Sequence, residues 1–590
     1  MPSPSRASDR VSWAYIETGA APATSTMNIK AVLRVLAWLA GAVVLVVGGA
    51  VLWFSLVFDP EDYRDDITAW VSAQTGRTLA LNGPVSLVLG LDGGSSLLAR
   101  IEMDELALSS SPGSAAPDPN MIRLRRLAFS IDLLALLHGK VVPREVVFEQ
   151  PQIRLLRTAE GNNWSDLAGG VALIAAQGLS IKDGLIKFED VTNGRSLRLA
   201  AVTVSTQPLV AGQESALALN AVLEREPDGP ALEVALTATA LLDAEATAVA
   251  FKALTAQIGH TTVTGRLDLA LVNAQPHWQF DLAVDQLDLG VAALTLPALS
   301  LAGVDADGSV RIARLFFGGL TMEEVSVPVS ARQGILVSSP VTAVFYGGEA
   351  RGDIFLDTRD QGLVVRVRQL YRDCQLGDLF TGLGLGDALA ATGNLNIHFA
   401  ASGLDESRWL QTARGVIRLQ AREGHIRGID IESLLKQLQK QANQNLGTWL
   451  GSTAVTPFSG INATLRMEQG LVVNEDLDFE AAGLNLRGRG SVSLRNQQVD
   501  YRISVGFDDP ELAALLPLPS NMATLVLPLR LFGAVQQPKL VIDIPELMRM
   551  QIEAAMGASS VPQAPPVDER ARKLEQALAG ELDAALAAAH

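Results

Sequence analysis

Along most of this chain hydrophobic and polar residues alternate with a period of two. Short alternating runs follow one another from about residue 78 to about residue 545. Val263, Gly265, Leu267, Leu269 and Leu271 share one parity, with Thr264, Arg266 and Asp268 on the other. Leu395, Ile397 and Phe399 oppose Asn394, Asn396 and His398, and Ile417, Leu419 and Ala421 oppose Arg418, Gln420 and Arg422. The run from Leu484 to Arg495 puts Leu484, Leu486, Val492 and Leu494 on one side with two glycines. Successive side chains of a strand point to opposite faces, so each run predicts a strand with one dry and one wet face. Dipeptides such as Asn82-Gly83, Asp183-Gly184, Asp307-Gly308, Gln333-Gly334, Glu423-Gly424 and Gln469-Gly470 punctuate the runs and predict tight hairpins. No fixed-length repeat is present, which argues against a propeller or a leucine-rich array. The pattern predicts a mainly β protein built on a long antiparallel sheet.

Four kinds of segment depart from that pattern. Residues 35–58 are an uncharged apolar run of about two dozen residues, and roughly 20 suffice for a helix to cross the hydrocarbon core of a bilayer. Lys30 and Arg34 precede it, whereas Asp59, Glu61, Asp62, Asp65 and Asp66 follow, which predicts a cytoplasmic N-terminus and an extracytoplasmic bulk. Trp38 near one end and Trp53, Phe54 and Phe58 near the other suit the interfacial belts, and their bulk argues against signal-peptide cleavage there. A short helix is expected after it, capped by Asp59-Pro60 and ended by Gly76, and further helices over 130–138 and 430–445. Two helices close the chain, 545–556 and 568–589, joined by a Pro/Ser-rich linker. Leu574, Leu578, Leu582 and Leu586 recur every fourth residue in the last, which reads equally as a partner-docking stripe and as a solvated amphipathic tail. Residues 1–26 lack periodicity, and Met27 opens a stretch that reads as a natural start, so a disordered tail or a displaced start is expected there.

Composition narrows the function. Hydrophobic residues make up 48% of the 590, aromatics only 5%, so a large aliphatic surface needs covering. A net charge of −17 argues against nucleic acid as a partner. Cys374 is the single cysteine and excludes an internal disulfide. None of the six histidines has metal-ligand spacing, and no nucleophile elbow or phosphate loop is present. Asp305-Ala306-Asp307-Gly308 resembles the start of a calcium loop but lacks the later ligands, so a hairpin turn is expected there. His398 and His425 lie on polar strand faces and read as solvated or structural. Asn163-Trp164-Ser165 and Asn462-Ala463-Thr464 match a glycosylation triplet that is common by chance. No catalytic constellation, metal site or cofactor site emerges, and no enzyme is expected. A sheet of twenty or more strands with one apolar face must pack on a second sheet, be covered by helices, or curl into a trough. Helices are too few to cover it; sandwich and trough remain open on composition.

A set of local signatures adds to this reading. The apolar run is followed by Phe58-Asp59-Pro60-Glu61-Asp62-Tyr63, Gln74-Thr75-Gly76-Arg77-Thr78-Leu79, Asn82-Gly83, the stretch 131–139, Gln150-Pro151-Gln152-Ile153 and Gly161-Asn162-Asn163-Trp164-Ser165-Asp166-Leu167. Ala391-Thr392-Gly393-Asn394-Leu395, Gly415-Val416-Ile417-Arg418-Leu419, the stretch 423–431 and Thr456-Pro457-Phe458-Ser459 continue the order. This order resembles the AsmA family of bacterial envelope proteins, with a diverged middle at about 200–370. The resemblance implies a single-pass inner-membrane protein whose bulk lies in the periplasm, acting in outer-membrane biogenesis. It implies a curled β-groove that binds and transfers phospholipid through their acyl chains, without a cofactor. The expected organisation is a cytoplasmic segment 1–34, the anchor 35–58, an N-terminal region 59–180, a middle β region 181–410, a C-terminal β region 411–545 and C-terminal helices 546–590. Groove positions are then expected at Leu267, Leu269, Ile354, Leu356, Val365, Val367, Leu395, Ile397, Phe399, Leu484, Leu486, Val492 and Leu494. The competing reading is a scaffold or regulatory factor for outer-membrane protein assembly, binding an outer-membrane or periplasmic protein through the C-terminal helices, with the apolar faces closed as a core.

Overall fold

A computed structural model describes residues 61, 64–91, 97–111, 119–132, 143–158, 161–164, 178–191, 195–225, 231–245, 247–272, 275–289, 304–359, 362–384, 386–387, 389–403, 406–427, 455–481, 483–507, 526–555 and 568–589. The expected anchor, with Trp38, Trp53, Phe54 and Phe58, and the expected helix over 430–445 lie outside them. After helix α1 (Arg64–Thr75) come β1 (Leu79–Leu81), β2 (Val85–Leu91), β3 (Leu97–Ser109), β4 (Asn120–Asp132), β5 (Pro143–Glu149), β6 (Gln152–Thr158), β7 (Gly161–Asn162), β8 (Leu179–Asp190) and β9 (Arg195–Thr206). Then follow β10 (Glu214–Arg225), β11 (Leu232–Leu242), β12 (Ala248–Ile258), β13 (Thr261–Val272), β14 (Gln275–Asp288), β15 (Ala306–Phe317), β16 (Leu320–Arg332), β17 (Ile335–Phe345), β18 (Gly348–Asp357) and β19 (Leu363–Gln375). Helix α2 (Leu376–Gly382) leads into β20 (Leu389–Gly403), and α3 (Glu406–Thr412) leads out of it. The remaining elements are β21 (Arg414–Arg427), β22 (Val455–Glu468), β23 (Leu471–Ala481), β24 (Leu484–Ser493), β25 (Gln498–Phe507), β26 (Val526–Ala534), β27 (Lys539–Ile542), α4 (Ile544–Ala555) and α5 (Glu569–Ala589).

All 27 strands belong to one sheet. From β8 to β27 each strand pairs with the next one in sequence. The expected purely antiparallel order is corrected at two places, because β14 pairs with β15 in parallel and β8 runs parallel to both β5 and β6. A parallel neighbour cannot follow through a two-residue turn, so each join needs a longer connection than a hairpin supplies. The sheet is therefore mixed.

Several glycine dipeptides do something other than turn. Gln333-Gly334 and Gln469-Gly470 do close hairpins, both residues of each pair at positive φ, as a tight inverse turn requires. Asp183-Gly184 and Glu423-Gly424 sit within β8 and β21 as irregularities, and Asn82-Gly83 separates β1 from β2, which both pair with β3 rather than with each other. Asp307-Gly308 lies inside β15 and not in a turn. There a Cβ on Gly308 would come within 2.2 Å of the Phe280 carbonyl oxygen, so the glycine serves close strand approach. Of the helix expected over 130–138, residues 130–132 instead extend β4, which pairs with β3 as far as Asp132, and the remainder lies outside the described residues.

The start of the sheet is held by charged and amide side chains on backbone. Arg64 Nη2 donates to the Gly83 carbonyl at 2.8 Å, and Glu61 Oε1 accepts from the Val85 N–H at 2.8 Å. Arg77 is 1% exposed and donates to the Ser109 and Asn163 carbonyls at 3.1 and 2.7 Å. Buried Asn163 in turn accepts from the Leu156 N–H and donates to the Arg154 carbonyl. This explains the Gly161-Asn162-Asn163-Trp164 run as a structural latch, and it removes Asn163 as a glycosylation acceptor, because its amide is committed inside the fold. Asn163→Ala leaves the Leu156 N–H without its acceptor and is expected to cost about 2–3 kcal/mol. Hydrogen exchange should show the loss as lowered protection of β6 and of the Arg77 segment, with β17–β22 unchanged.

Candidate functional site: an apolar face across the sheet

Residues directly opposite each other on paired strands share a face, so the register tells which side chains of distant strands lie side by side. One row runs Leu242, Val249, Leu269, Trp278, Ala306, Ala331, Leu336, Leu356, Val365, Ala401 from β11 to β20. A second row runs Ile354, Val367, Phe399, Gly415, Met467, Val472, Val492, Val499, Gly533 from β18 to β26. Neither contains a polar side chain. Ile354 and Leu356 are two apart on β18, so both rows lie on one face.

Of the expected groove positions, Leu269, Ile354, Leu356, Val365, Val367, Phe399 and Val492 are members of these rows and are half-buried. Leu267 lies on the same face beside Phe280, and Leu395 and Ile397 continue the parity of Phe399 on β20. Leu484 and Leu486 share the face through Ala481 and Phe479, but they meet a different environment. Leu484 is buried in a cluster with Phe345, Tyr371, Leu376, Leu379, Phe458 and Phe479, against which Leu395, Ile397 and Leu486 also pack. Leu484 is therefore corrected from an open groove position to part of a closed core. Leu494 falls beyond the end of β24, because its N–H bonds to Gly470 at a hairpin, and its side chain is exposed.

The two helices flanking β20 shape this face. Alternation puts Gly393, Leu395, Ile397, Phe399, Ala401 and Gly403 on one side of the strand. At one end a Cβ on Gly393 would come within 2.6 Å of Leu376 of α2, and at the other a Cβ on Gly403 would come within 2.8 Å of Arg408 of α3. Trp409 Nε1 bonds to the Gly403 carbonyl, and Thr412 Oγ1 to that of Ser402. The glycines admit a helix at each end, and the apolar residues between them, Leu395 to Ala401, form a floor about 20 Å long at about 3.4 Å per residue. The sequence pattern revealed the floor but not these walls, since seven-residue helices leave no periodic signal. Cys374 lies under α2 with no exposed surface, and burial pushes its thiol up to about 11, so it offers no nucleophile at neutral pH.

The AsmA family model matches residues 29–169 and 295–477. The chain belongs to the AsmA family. Protein AsmA of Escherichia coli (strain K12) is 19% identical over 340 residues, covering 52% of this chain and 54% of that protein. The chain thus aligns with about half the length of that curated relative. The AsmA match takes in the Arg77–Asn163 latch and the strands from β15 to most of β23, and so includes both walls of the β20 floor.

The opposite face of this AsmA-family sheet is polar and carries α5. Asp568 caps that helix by accepting from the Arg570 and Ala571 N–H groups and pairs with Arg466 of β22 at 3.4 Å. Glu575 meets Arg418 of β21 at 2.7 Å, Glu581 meets Arg414 at 3.1 Å, and Asp583 meets Arg368 of β19 at 2.9 Å. Leu582 is buried against Val337 and Phe355. Neither sequence reading of the leucine stripe holds, because the stripe docks on the chain's own sheet. On α4, Ile544, Met548 and Ile552 are exposed along one side. Among the described residues no helix is long and apolar enough to cross a membrane, and no group of acidic, histidine and cysteine residues has the arrangement to hold a metal.

His398 is buried beneath α5, with Nε2 3.9 Å from Glu575 Oε1. Its pKa is lowered, first by burial and then by the Arg368 and Arg418 cations, against the raising effect of Glu575 and Asp583. A histidine with a folded pKa below its unfolded value contributes stability above about 6.5, and that contribution is lost as pH falls toward the folded value. Acidification from pH 7 to 5 is expected to loosen α5, read as faster hydrogen exchange in 569–589. His398→Gln should flatten that pH dependence.

Proposed function

We propose that the apolar face is an acyl-chain binding surface and that this AsmA-family protein carries phospholipid along it within the bacterial envelope. The observation that supports the reading best is the pair of apolar rows, each spanning nine or more strands, in which the Trp278 indole is the one side chain that can donate a strong hydrogen bond. Apolar burial is worth about 25 cal/mol per Å², so hydrocarbon chains gain affinity there without any polar contact. A peptide partner would bring backbone N–H and C=O groups that such a surface leaves unsatisfied. β1 and β2 share one rung of the ladder, β5 and β6 another, and β7 adds only a corner, so the 27 strands make 24 rungs. At about 4.8 Å each they amount to roughly 110 Å. Such a length suits movement of lipid between membranes. The two rows carry no acid, base or nucleophile, which agrees with a non-catalytic role.

The reading places residues 35–58 in the inner membrane, the N-terminus in the cytoplasm and the sheet in the periplasm, serving outer-membrane biogenesis. The second reading, a scaffold for outer-membrane protein assembly, is favoured by one feature, the exposed Ile544–Met548–Ile552 stripe on α4. Deleting 544–555 separates the two, since capture of a periplasmic or outer-membrane protein with unchanged lipid content depends on the stripe alone.

Val367→Asp and Phe399→Asp each place a carboxylate in the second row. Each is expected to lower co-purified phospholipid several-fold, measured by lipid mass spectrometry, with circular dichroism unchanged. Lipid content equal to that of the unaltered protein in both folded variants would defeat the proposal.

A further inference from the structure

The two long edges of the apolar face differ. Along the α2 edge, the side-chain cluster of Phe345, Tyr371, Leu376, Leu379, Phe458 and Phe479 closes the face, and Leu320 of β16 and Phe507 of β25 pack against its ends. Leu376 has no exposed surface and Leu379 and Phe458 are buried. This edge of the face is occupied by the protein's own side chains over ten successive strands. The edge formed by the hairpins at 469–470 and 494–497 is different. Leu471, Leu494 and Val535 stand exposed there at 42%, 42% and 44%, one at each of three successive hairpins. Leu494 lies two residues beyond Val492 and Val535 two beyond Gly533, so both adjoin the second row on its own face, whereas Leu471 is one residue from Val472 and alternates onto the other face. Exposed aliphatics also end β13 at this edge, at Leu271 and Val272.

We infer that acyl chains of a diacyl lipid pass on and off the face sideways, across the hairpin edge at Leu494 and Val535, and that the α2 edge is closed to them. This rests on the acyl-binding reading and adds a direction to it. A tail sliding across the hairpin edge stays in contact with hydrocarbon from the rim to Val472 and Val492, and its headgroup remains in water outside the rim. A tail approaching from the α2 edge would have to displace Leu376 and the aromatic rings packed with it, and a cavity cannot open there without that displacement. The occupant is a hydrocarbon chain because the step from Leu494 to Val492 is aliphatic, with the exposed Arg495 beside it against Gly470.

The test places a photo-crosslinking amino acid singly at Leu494, Val492 and Val367 on the proposed path, and at Leu484 and Ala391 on the closed edge. The full-length protein is incubated with vesicles of radiolabelled phosphatidylethanolamine and phosphatidylglycerol, then irradiated. Adducts at Leu494, Val492 and Val367, with none at Leu484 and Ala391, are expected. Adducts at Val367 together with Leu484 or Ala391, and none at Leu494, would overturn the sideways path while leaving acyl binding standing. No adduct at any position, with a lipid-transfer control labelled in parallel, would remove the acyl-binding reading itself. A second measurement uses Leu494→Asp/Val535→Asp, whose altered side chains lie at solvent-exposed turns. Uptake of fluorescent lipid should slow several-fold while the lipid retained at equilibrium stays the same. An unchanged uptake rate in the folded double variant counts against the inference.

Discussion

The constraint on which the rest of this molecule depends is register. A one-residue slip between any two strands would carry every hydrophobic side chain of one of them to the polar face. Ten strands in succession instead bring Leu242, Val249, Leu269, Trp278, Ala306, Ala331, Leu336, Leu356, Val365 and Ala401 into line. The alignment survives a parallel join between β14 and β15, where hairpin geometry gives no help. Glycines at crowded points preserve it. Gly308 lets β15 lie against the Phe280 backbone, and Gly352 stands where any side chain would strike Gln369. Along these ten strands the register keeps one row wholly apolar.

The polar face shows what that distinction costs and how the chain meets it. Arg368, Arg414, Arg418 and Arg466 would crowd like charges on neighbouring strands, and α5 crosses them with Glu575, Glu581, Asp583 and its capping Asp568. Most of these pairs are partly exposed, where a single ion pair contributes little. The burial of Leu578, Leu582 and Ala571 under the helix supplies the apolar part of the attachment. The helix spans from β22 to β17 behind the β20 floor, so the flanking helices on one face and the crossing helix on the other meet at β20.

Period-two alternation made the strands and their dry face legible from residues alone, and leucines at every fourth residue did so for the last helix, because those signals are local and repeat. The sites of strands such as 395–399 and 484–493 follow from them directly. What alternation could not convey is how strands pair when the connection is long, which is why the parallel joins were invisible. Glycine dipeptides were ambiguous for a physical reason. The same positive φ that closes a hairpin at Gln333-Gly334 also makes a bulge at Asp183 or Glu423, and the sequence between flanking strands does not separate the two. At the site, Val367 and Phe399 were readable as apolar positions, but that Leu484 is sealed while Val492 is half-buried depends on α2, whose seven residues fold onto the sheet through tertiary contact.

From β8 onward each strand touches mainly the one before and the one after it in sequence. A body assembled in that way has no closure condition of the kind a barrel imposes, where strand number, tilt and stagger must agree. Inserting or deleting one hairpin would leave the cross-section on either side unaltered and change only how far the molecule reaches. Reach is thereby an evolvable quantity in this architecture, adjustable in steps of about 10 Å for each pair of strands.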